Sequence, residues 1–241
     1  MKAILLAAGK GSRISKTINN VPKSTLLINN EPLIHRTVRI LLSKGIEVAV
    51  CVGYEHDLVE AALSDLSVRF YYNPFFDITN SIASLWFAKE FINDDIIIMN
   101  ADVFLEEKIL DDFLKTDNSV AMLVDKTRTK VGDYFFKLDD NNCILKYGKQ
   151  LEPSERSCEY VGVGIVRKNF INTFNAQLVK MVSNQDHHKW WEDALYEITK
   201  DNPIPTVDVD GFFWSEIDYY DDYERIIDYI NQTNKLESNY G

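Results

Sequence analysis

Positive charge is in short supply in this chain. It carries 26 Lys and Arg against 37 Asp and Glu, a net charge of −11 over 241 residues. That balance argues against a nucleic-acid surface, which needs a basic patch to displace counterions from phosphates. An anionic ligand must instead be held by local cations, backbone amides or a metal ion. Cysteine is scarce too: Cys51, Cys143 and Cys158 are scattered and make neither a disulfide framework nor a zinc pattern. No apolar run approaches membrane-spanning length, and the N-terminus enters a strand at once with no signal peptide. A soluble, cytoplasmic protein is the expectation. A Ser-His-Asp or Cys-His nucleophile constellation is missing. The adjacent His187-His188 pair does not face one way and has no carboxylate at helical spacing upstream, so it does not read as zinc ligation.

What is present is concentrated in the first twenty-odd residues. Lys2-Ala3-Ile4-Leu5-Leu6-Ala7 is short and apolar, the pattern of a buried strand. It runs into Ala8-Gly9-Lys10-Gly11-Ser12-Arg13, and Val21-Pro22-Lys23 follows a polar loop. Small residues directly after a strand let backbone amides approach a polyphosphate that a Cβ would hold off. Arg13 and Lys23 are then two cations available to the same phosphates. A Walker loop is excluded because there is no Gly-Lys-Ser/Thr run, and a dinucleotide fingerprint because the third glycine is missing.

Downstream, strands and helices alternate. The pattern predicts a strand at 25–28, a helix opening at Glu31-Pro32, strands at 47–52 and 68–72, and a helix between them, with Gly53-Tyr54 closing the first of these strands. Such alternation implies a mostly parallel sheet whose ligand sits at the carboxyl ends of the strands, where the small-residue loop also lies. Thr79 to Trp86 reads as a helix start with cap-type residues. At Asp95 to Asp102 a strand of four apolar residues ends in a carboxylate. Asp102 either caps a helix over 105–114 or, beside the phosphate loop, serves as a hard oxygen ligand for magnesium. After Val120–Val124 the alternation stops, and strands at 134–138, 143–146 and 160–166 read as an antiparallel insertion. Helices are predicted at 170–182 and 189–199. Lys126 and Arg128 read as solvated charges, with contact to a ligand phosphate as the alternative.

Leu6-Ala7-Ala8-Gly9-x-Gly11-Ser12-Arg13 with Pro22-Lys23 resembles the opening motif of nucleotidyltransferases that join an NTP to a phosphorylated small molecule. Asn100-Ala101-Asp102 is similar to that family's metal motif, with Asn where Asp is more frequent, and Trp214-x-Glu216-Ile217-Asp218 to its closing motif. Short length, Trp191/Glu192-Asp193 and the closing motif look most like bacterial choline-phosphate cytidylyltransferases and related aminoalkylphosphonate enzymes. The resemblance implies a Rossmann-like, mostly parallel α/β sheet flanked by helices (the GT-A-like nucleotidyltransferase fold), with the small antiparallel β insertion as acceptor wall. It implies one domain over 1–241, with 1–125 as nucleotide-binding half and 126–241 as acceptor-binding half carrying the closing metal motif.

The implied chemistry is Mg²⁺-dependent transfer of a cytidylyl group from CTP to a small phosphorylated acceptor, phosphocholine first, for glycan or lipid decoration at the cell surface. Arg13 and Lys23 would hold phosphates, and Asp102 and Asp218 the Mg²⁺. The loop from Leu6 to Arg13, with Gly53, Asn80, Ser84 and Ala101, would bind the nucleotide. Tyr134, Trp191, Glu192, Asp193, Trp214 and Glu216 would bind the acceptor, its aromatics caging an amine. Alternatives are an aminoethylphosphonate or sugar-1-phosphate acceptor, a GT-A glycosyltransferase, which would want Asp-x-Asp where Asn100-Ala101-Asp102 stands, and an inactive NTP-binding module.

Overall fold

The computed structural model describes residues 1–240 apart from Ser12, Ser15 and Lys16, with side chains up to residue 235. The predicted loop residue Ser12 thus lies outside the described residues.

In chain order the elements are β1 (Lys2–Ala7), β2 (Leu27–Ile28), β3 (Glu31–Pro32), α1 (Leu33–Ser43), β4 (Glu47–Val52), α2 (His56–Ala62), β5 (Val68–Tyr72) and α3 (Ser81–Phe87). There follow β6 (Ile96–Asn100), β7 (Val103–Leu105), α4 (Glu107–Leu114), β8 (Val120–Asp125), β9 (Phe135–Leu138), β10 (Ile144–Gly148) and β11 (Cys158–Val166). The chain continues with α5 (Ile171–Ser183), α6 (Asp193–Tyr196), β12 (Thr206–Asp208), β13 (Trp214–Glu216) and α7 (Tyr220–Tyr240).

The main sheet runs β10-β9-β11-β6-β1-β4-β5, with β8 paired to β11 and β12. Strands β6, β1, β4 and β5 are mutually parallel, and β11 joins β6 antiparallel. The parallel centre is apolar on both faces because helices cover both. Ile4, Leu5, Ala49, Val50, Ile97 and Ile98 are fully buried, and each such aliphatic side chain larger than Ala contributes roughly 1.5–3 kcal/mol. The α/β reading therefore stands, and the antiparallel strands extend the same sheet. Strand β11 is a nine-residue, fully buried member of it, more central than an insertion's edge.

Several predicted boundaries shift. Residues 23–25 form a single 3₁₀ turn, leaving only Leu27–Ile28 as strand. Pro32 stands just outside α1 as its N-cap. Leu105 belongs to β7 and not to the following helix. The helix expected over 189–199 is reduced to Asp193–Tyr196 among turns; the Asp193 carboxylate accepts the Trp190 amide at 2.8 Å, which starts the helix there. Among the described residues no helix is long and apolar enough to cross a membrane.

Two registers place the functional end. Leu6 pairs with Asn100 across β1 and β6, and the Ala101 amide donates to the Leu6 carbonyl at 3.2 Å. The small-residue loop and Asp102 consequently leave the sheet side by side. Then β13 lies antiparallel on β7 with Glu216 opposite Val103. Its ladder ends with the Ile217 amide on the Asp102 carbonyl at 3.0 Å, so residue 218 emerges next to residue 102.

Candidate active site

Four charged side chains meet at this end of the sheet. Lys23 Nζ lies 2.8 Å from an Asp102 oxygen and 2.9 Å from Asp218 Oδ1, and it donates to the Ile217 carbonyl at 2.6 Å. Arg13 reaches the other Asp218 oxygen at 2.6 Å and Asp133 at 2.9 Å. Burial alone would lower the affinity of Lys23 for its proton, but Asp102 and Asp218 outweigh it and hold the ammonium firmly charged. Arg13 behaves the same way: burial opposes the charge, and Asp218 and Asp133 override it.

Gly11 makes room for the lysine. Its φ is +59°, and a Cβ there would lie 2.8 Å from Cγ and Cε of Lys23. Gly11 thus supplies a backbone bend and lets the lysine stem lie flat against the loop. Leu6, Ala7, Gly9, Gly11, Pro22 and Ala101 line a cleft of about 360 Å³ together with the four charges. Of the other expected nucleotide residues, Gly53 packs behind the loop: a Cβ would stand 2.9 Å from the Ala8 carbonyl. Lys10 reaches outward to Asp77 at 2.5 Å and does not line the cleft.

The cleft widens toward α3 into a region of about 200 Å³ lined by Ala8, Asn73, Phe76, Asn80 and Ser84 among others. Asn80 caps α3 by accepting the Ser81 amide at 2.8 Å, and its own amide donates to the His187 carbonyl at 2.8 Å. Asn73 Nδ2 donates to the Ser84 hydroxyl at 3.0 Å. The capping reading of Asn80 is therefore real, and it leaves that residue on the cleft wall as well.

A third hollow, about 160 Å³, opens beside Asp218. Tyr134, Trp190, Tyr160 and Tyr196 form its walls, with Glu192, Glu216 and Asn100 in its floor. The expected tryptophans are not here. Trp191 is fully buried in the core, where its ring lies 2.7 Å from the point a Cβ on Gly164 would occupy. Trp214 is 5% exposed and donates from Nε1 to Asp125 at 2.8 Å. Both acceptor assignments are corrected: these rings are structural. The cause for Trp191 is a tertiary contact, since its amide donates to Ser81 Oγ at 2.9 Å. That bond turns Trp191 inward and its neighbour Trp190 outward, where Trp190 borders all three parts of the cleft. Asp193 is corrected likewise; its carboxylate is used on the Trp190 amide. Arg128 pairs with Glu159 at 2.8 Å and sits over the Trp214 ring in a separate hollow, so its role as a phosphate contact falls. Lys126 is held by Asn142 at 2.9 Å.

Sequence reasoning missed Tyr160, Tyr196, Asn100 and Asp133. Tyr196 was within reach, because it stands four residues after Glu192 and therefore on the same helical face. Burial, and after it the nearby Asp193 charge, pushes the Glu192 carboxyl up to about 8, against the opposing pull of Tyr160. Burial, then Asp102 and Asp218, raises Glu216 strongly.

The donor set fits a hard divalent cation. Asp102 and Asp218 present oxygens within 3 Å of one ammonium nitrogen, which shows that this spot already accommodates a positive charge between them. The described residues contain no cluster of three His, Cys, Asp or Glu ligands. Two carboxylates completed by water and phosphate oxygens suit Mg²⁺ and do not suit zinc.

A parallel sheet that brings a glycine-lined loop, two cations and two aspartates to its carboxyl edge is the arrangement of a nucleotidyltransferase. Residues 3–159 match the MobA-like NTP transferase domain, and the chain belongs to that family. It is 27% identical to a CTP:phosphoglutamine cytidylyltransferase of Campylobacter jejuni over 93% of this chain and 98% of the relative. It is also 27% identical to a choline-phosphate cytidylyltransferase of Haemophilus influenzae, over 94% of this chain and 96% of the relative. The solved CTP:phosphocholine cytidylyltransferase of Streptococcus pneumoniae shares the fold, with a TM-score of 0.79 at 21% identity over 95% of this chain and 98% of that one.

Proposed function

We propose that the protein transfers a cytidylyl group from CTP to a small phosphorylated acceptor with a cationic head, with phosphocholine as the reference acceptor and Mg²⁺ as cofactor. The observation that carries this reading is the meeting of Arg13, Lys23, Asp102 and Asp218 between a glycine-lined loop and an acid-floored aromatic hollow. Full-length similarity to two cytidylyltransferases supports the choice of nucleotide. The cytoplasm, where CTP is available, is the compartment this reading implies.

The reaction is an in-line displacement. An oxygen of the acceptor's phosphate attacks the α-phosphorus of CTP, the bond to the β-phosphate bridging oxygen breaks, and pyrophosphate leaves with that electron pair. A phosphomonoester's second pKa is about 6, so the nucleophile is anionic near neutral pH and needs no general base. Catalysis then rests on positioning and charge neutralisation. Loop amides from Ala8 to Gly11 would cradle the β- and γ-phosphates with Arg13. Lys23, pinned by Gly11 and its two aspartates, would turn toward the α-phosphate and the charge that develops there. Asp102 and Asp218 would hold Mg²⁺, which when bound supplies further neutralisation of the phosphates. Trp190, Tyr134 and the carboxylates of the floor would orient the acceptor's far end.

The test is a matrix of four NTPs against phosphocholine, 2-aminoethylphosphonate and hexose 1-phosphates, following pyrophosphate with Mg²⁺ or with EDTA. CTP-dependent release that EDTA abolishes is expected. A clear hexose preference, or no release with any pair, would refute the reading.

A further inference from the structure

The floor of the aromatic hollow holds buried polar groups without a hydrogen-bond partner among the described residues. Glu192 is 6% exposed, and its Oε2 has no hydrogen-bond partner among the described residues; nor do the hydroxyls of Tyr160 and Tyr196. Tyr160 and the Trp191 indole stand near enough to influence the Glu192 charge, but neither makes a hydrogen bond of ordinary geometry with it. Among the described residues Glu216 receives one side-chain bond, from Asn100 at 3.3 Å. Leaving a buried acceptor without a donor is costly, so such a floor calls for a ligand that brings donors of its own.

The aromatic walls point the same way. A trimethylammonium group offers no N–H and is held by open ring faces. Here those faces are engaged. Tyr134 stacks on Tyr196 with centroids 5.8 Å apart, and Tyr147 stacks on Tyr196 at 4.4 Å. The Trp190 ring already carries the Lys149 ammonium at 5.2 Å and the edge of Tyr134 at 5.9 Å. A cage for a methylated cation is therefore incomplete, while the floor offers oxygens to a ligand that carries N–H donors.

We infer that the acceptor's far end is a protonated amine that keeps its N–H donors and sits on Glu192 and the two tyrosine hydroxyls, in preference to a quaternary ammonium. This rests on the transferase reading and re-ranks its acceptors. Glu192 has Tyr160 from β11, Glu216 from β13, and Trp191, Asp193 and Tyr196 from its own segment around it. None of these groups is a cation; Arg13 and Lys149, which also line the hollow, are both paired with Asp133, at 2.9 and 3.1 Å. An arriving ammonium is then the counter-charge, and it favours ionisation of a carboxyl that burial keeps protonated up to about 8.

The experiment measures kcat and KM with CTP and Mg²⁺ for phosphoethanolamine, 2-aminoethylphosphonate, phosphocholine and glycerol 3-phosphate. A primary amine should exceed phosphocholine in kcat/KM by about 10- to 100-fold, chiefly through KM, because the site's polar groups go unpaired with the methylated analogue. Glu192→Gln should narrow that gap, and Tyr160→Phe should narrow it less, which keeps the test sharp if the first variant folds poorly. Phosphocholine equal to or better than the amines, glycerol 3-phosphate as best acceptor, or a gap unmoved by both variants would overturn the inference. Absence of pyrophosphate with every acceptor and every NTP would instead overturn the transferase reading itself.

Discussion

The loop side of the cleft is built from backbone, and the aromatic side from side chains. On the loop side, β1 and β6 end together, Gly11 bends with positive φ, and Asp102 and Asp218 are fixed by a three-residue register between β7 and β13. Moving any of these groups means moving a strand. On the aromatic side, which face of a turn meets the hollow is decided by single bonds, such as the Trp191 amide on Ser81 Oγ. The first kind of construction tolerates little change and suits groups that act on every substrate. The second can be redrawn by one substitution and suits the choice of acceptor.

That contrast breaks most visibly at the two neighbouring tryptophans. Trp191→Ala should destabilise the fold by about 3–5 kcal/mol, the cost of emptying a fully buried aromatic site; chemical denaturation measures it. A loss under 1 kcal/mol would mean that Trp191 is not the core residue described. Next in size, Asp102→Asn or Asp218→Asn should lower kcat roughly 10²–10³-fold with every acceptor and leave the acceptor ranking intact. If either variant changed the ranking and spared kcat, the division between the two sides would be wrong. Trp190→Ala, which removes a wall of the acceptor hollow, should raise the KM for the acceptor more than the KM for CTP. An equal rise in the KM for CTP would show that this ring serves the nucleotide instead.

The smallest effect is on pH dependence. Glu192 is an acid whose folded value is raised from 4.5 to about 8. Between those limits the folded chain holds a proton that the unfolded chain has lost, so its contribution to stability falls as pH rises through the window. Glu192→Gln removes that loss. Its melting temperature should therefore gain on the parent's between about pH 5 and pH 8. A constant difference across that range would show that Glu192 ionises normally.

The same contrast explains what could be read from the sequence. That Leu6, Ala7, Gly9, Gly11, Arg13, Lys23 and Asp102 meet at one end of the sheet was legible because a run of apolar residues ending in glycine or in an acid is a local pattern, and parallel strands put such ends together. Asp218 was found through motif resemblance, since nothing local announces that β13 will lie on β7. The acceptor wall was legible only in part. Tyr134, Glu192 and Glu216 line the hollow, but Trp191 and Trp214 were placed there for their chemistry when their direction depended on distant partners, Ser81 and Asp125. Neighbouring residues on a turn point different ways, and only the packed chain decides which one turns outward.

The short ladder between β7 and β13 has a temporal consequence. One of the two carboxylates follows directly on β13, in the second half of the sequence, so a ribosome must add the whole stretch from Asp102 onward before the cleft can be closed. A nascent polypeptide holding only the first half would own the glycine loop, Arg13, Lys23 and Asp102, yet lack the opposing acid. Assembly of the four-charge cluster thereby waits on β13, however early the other three members are made.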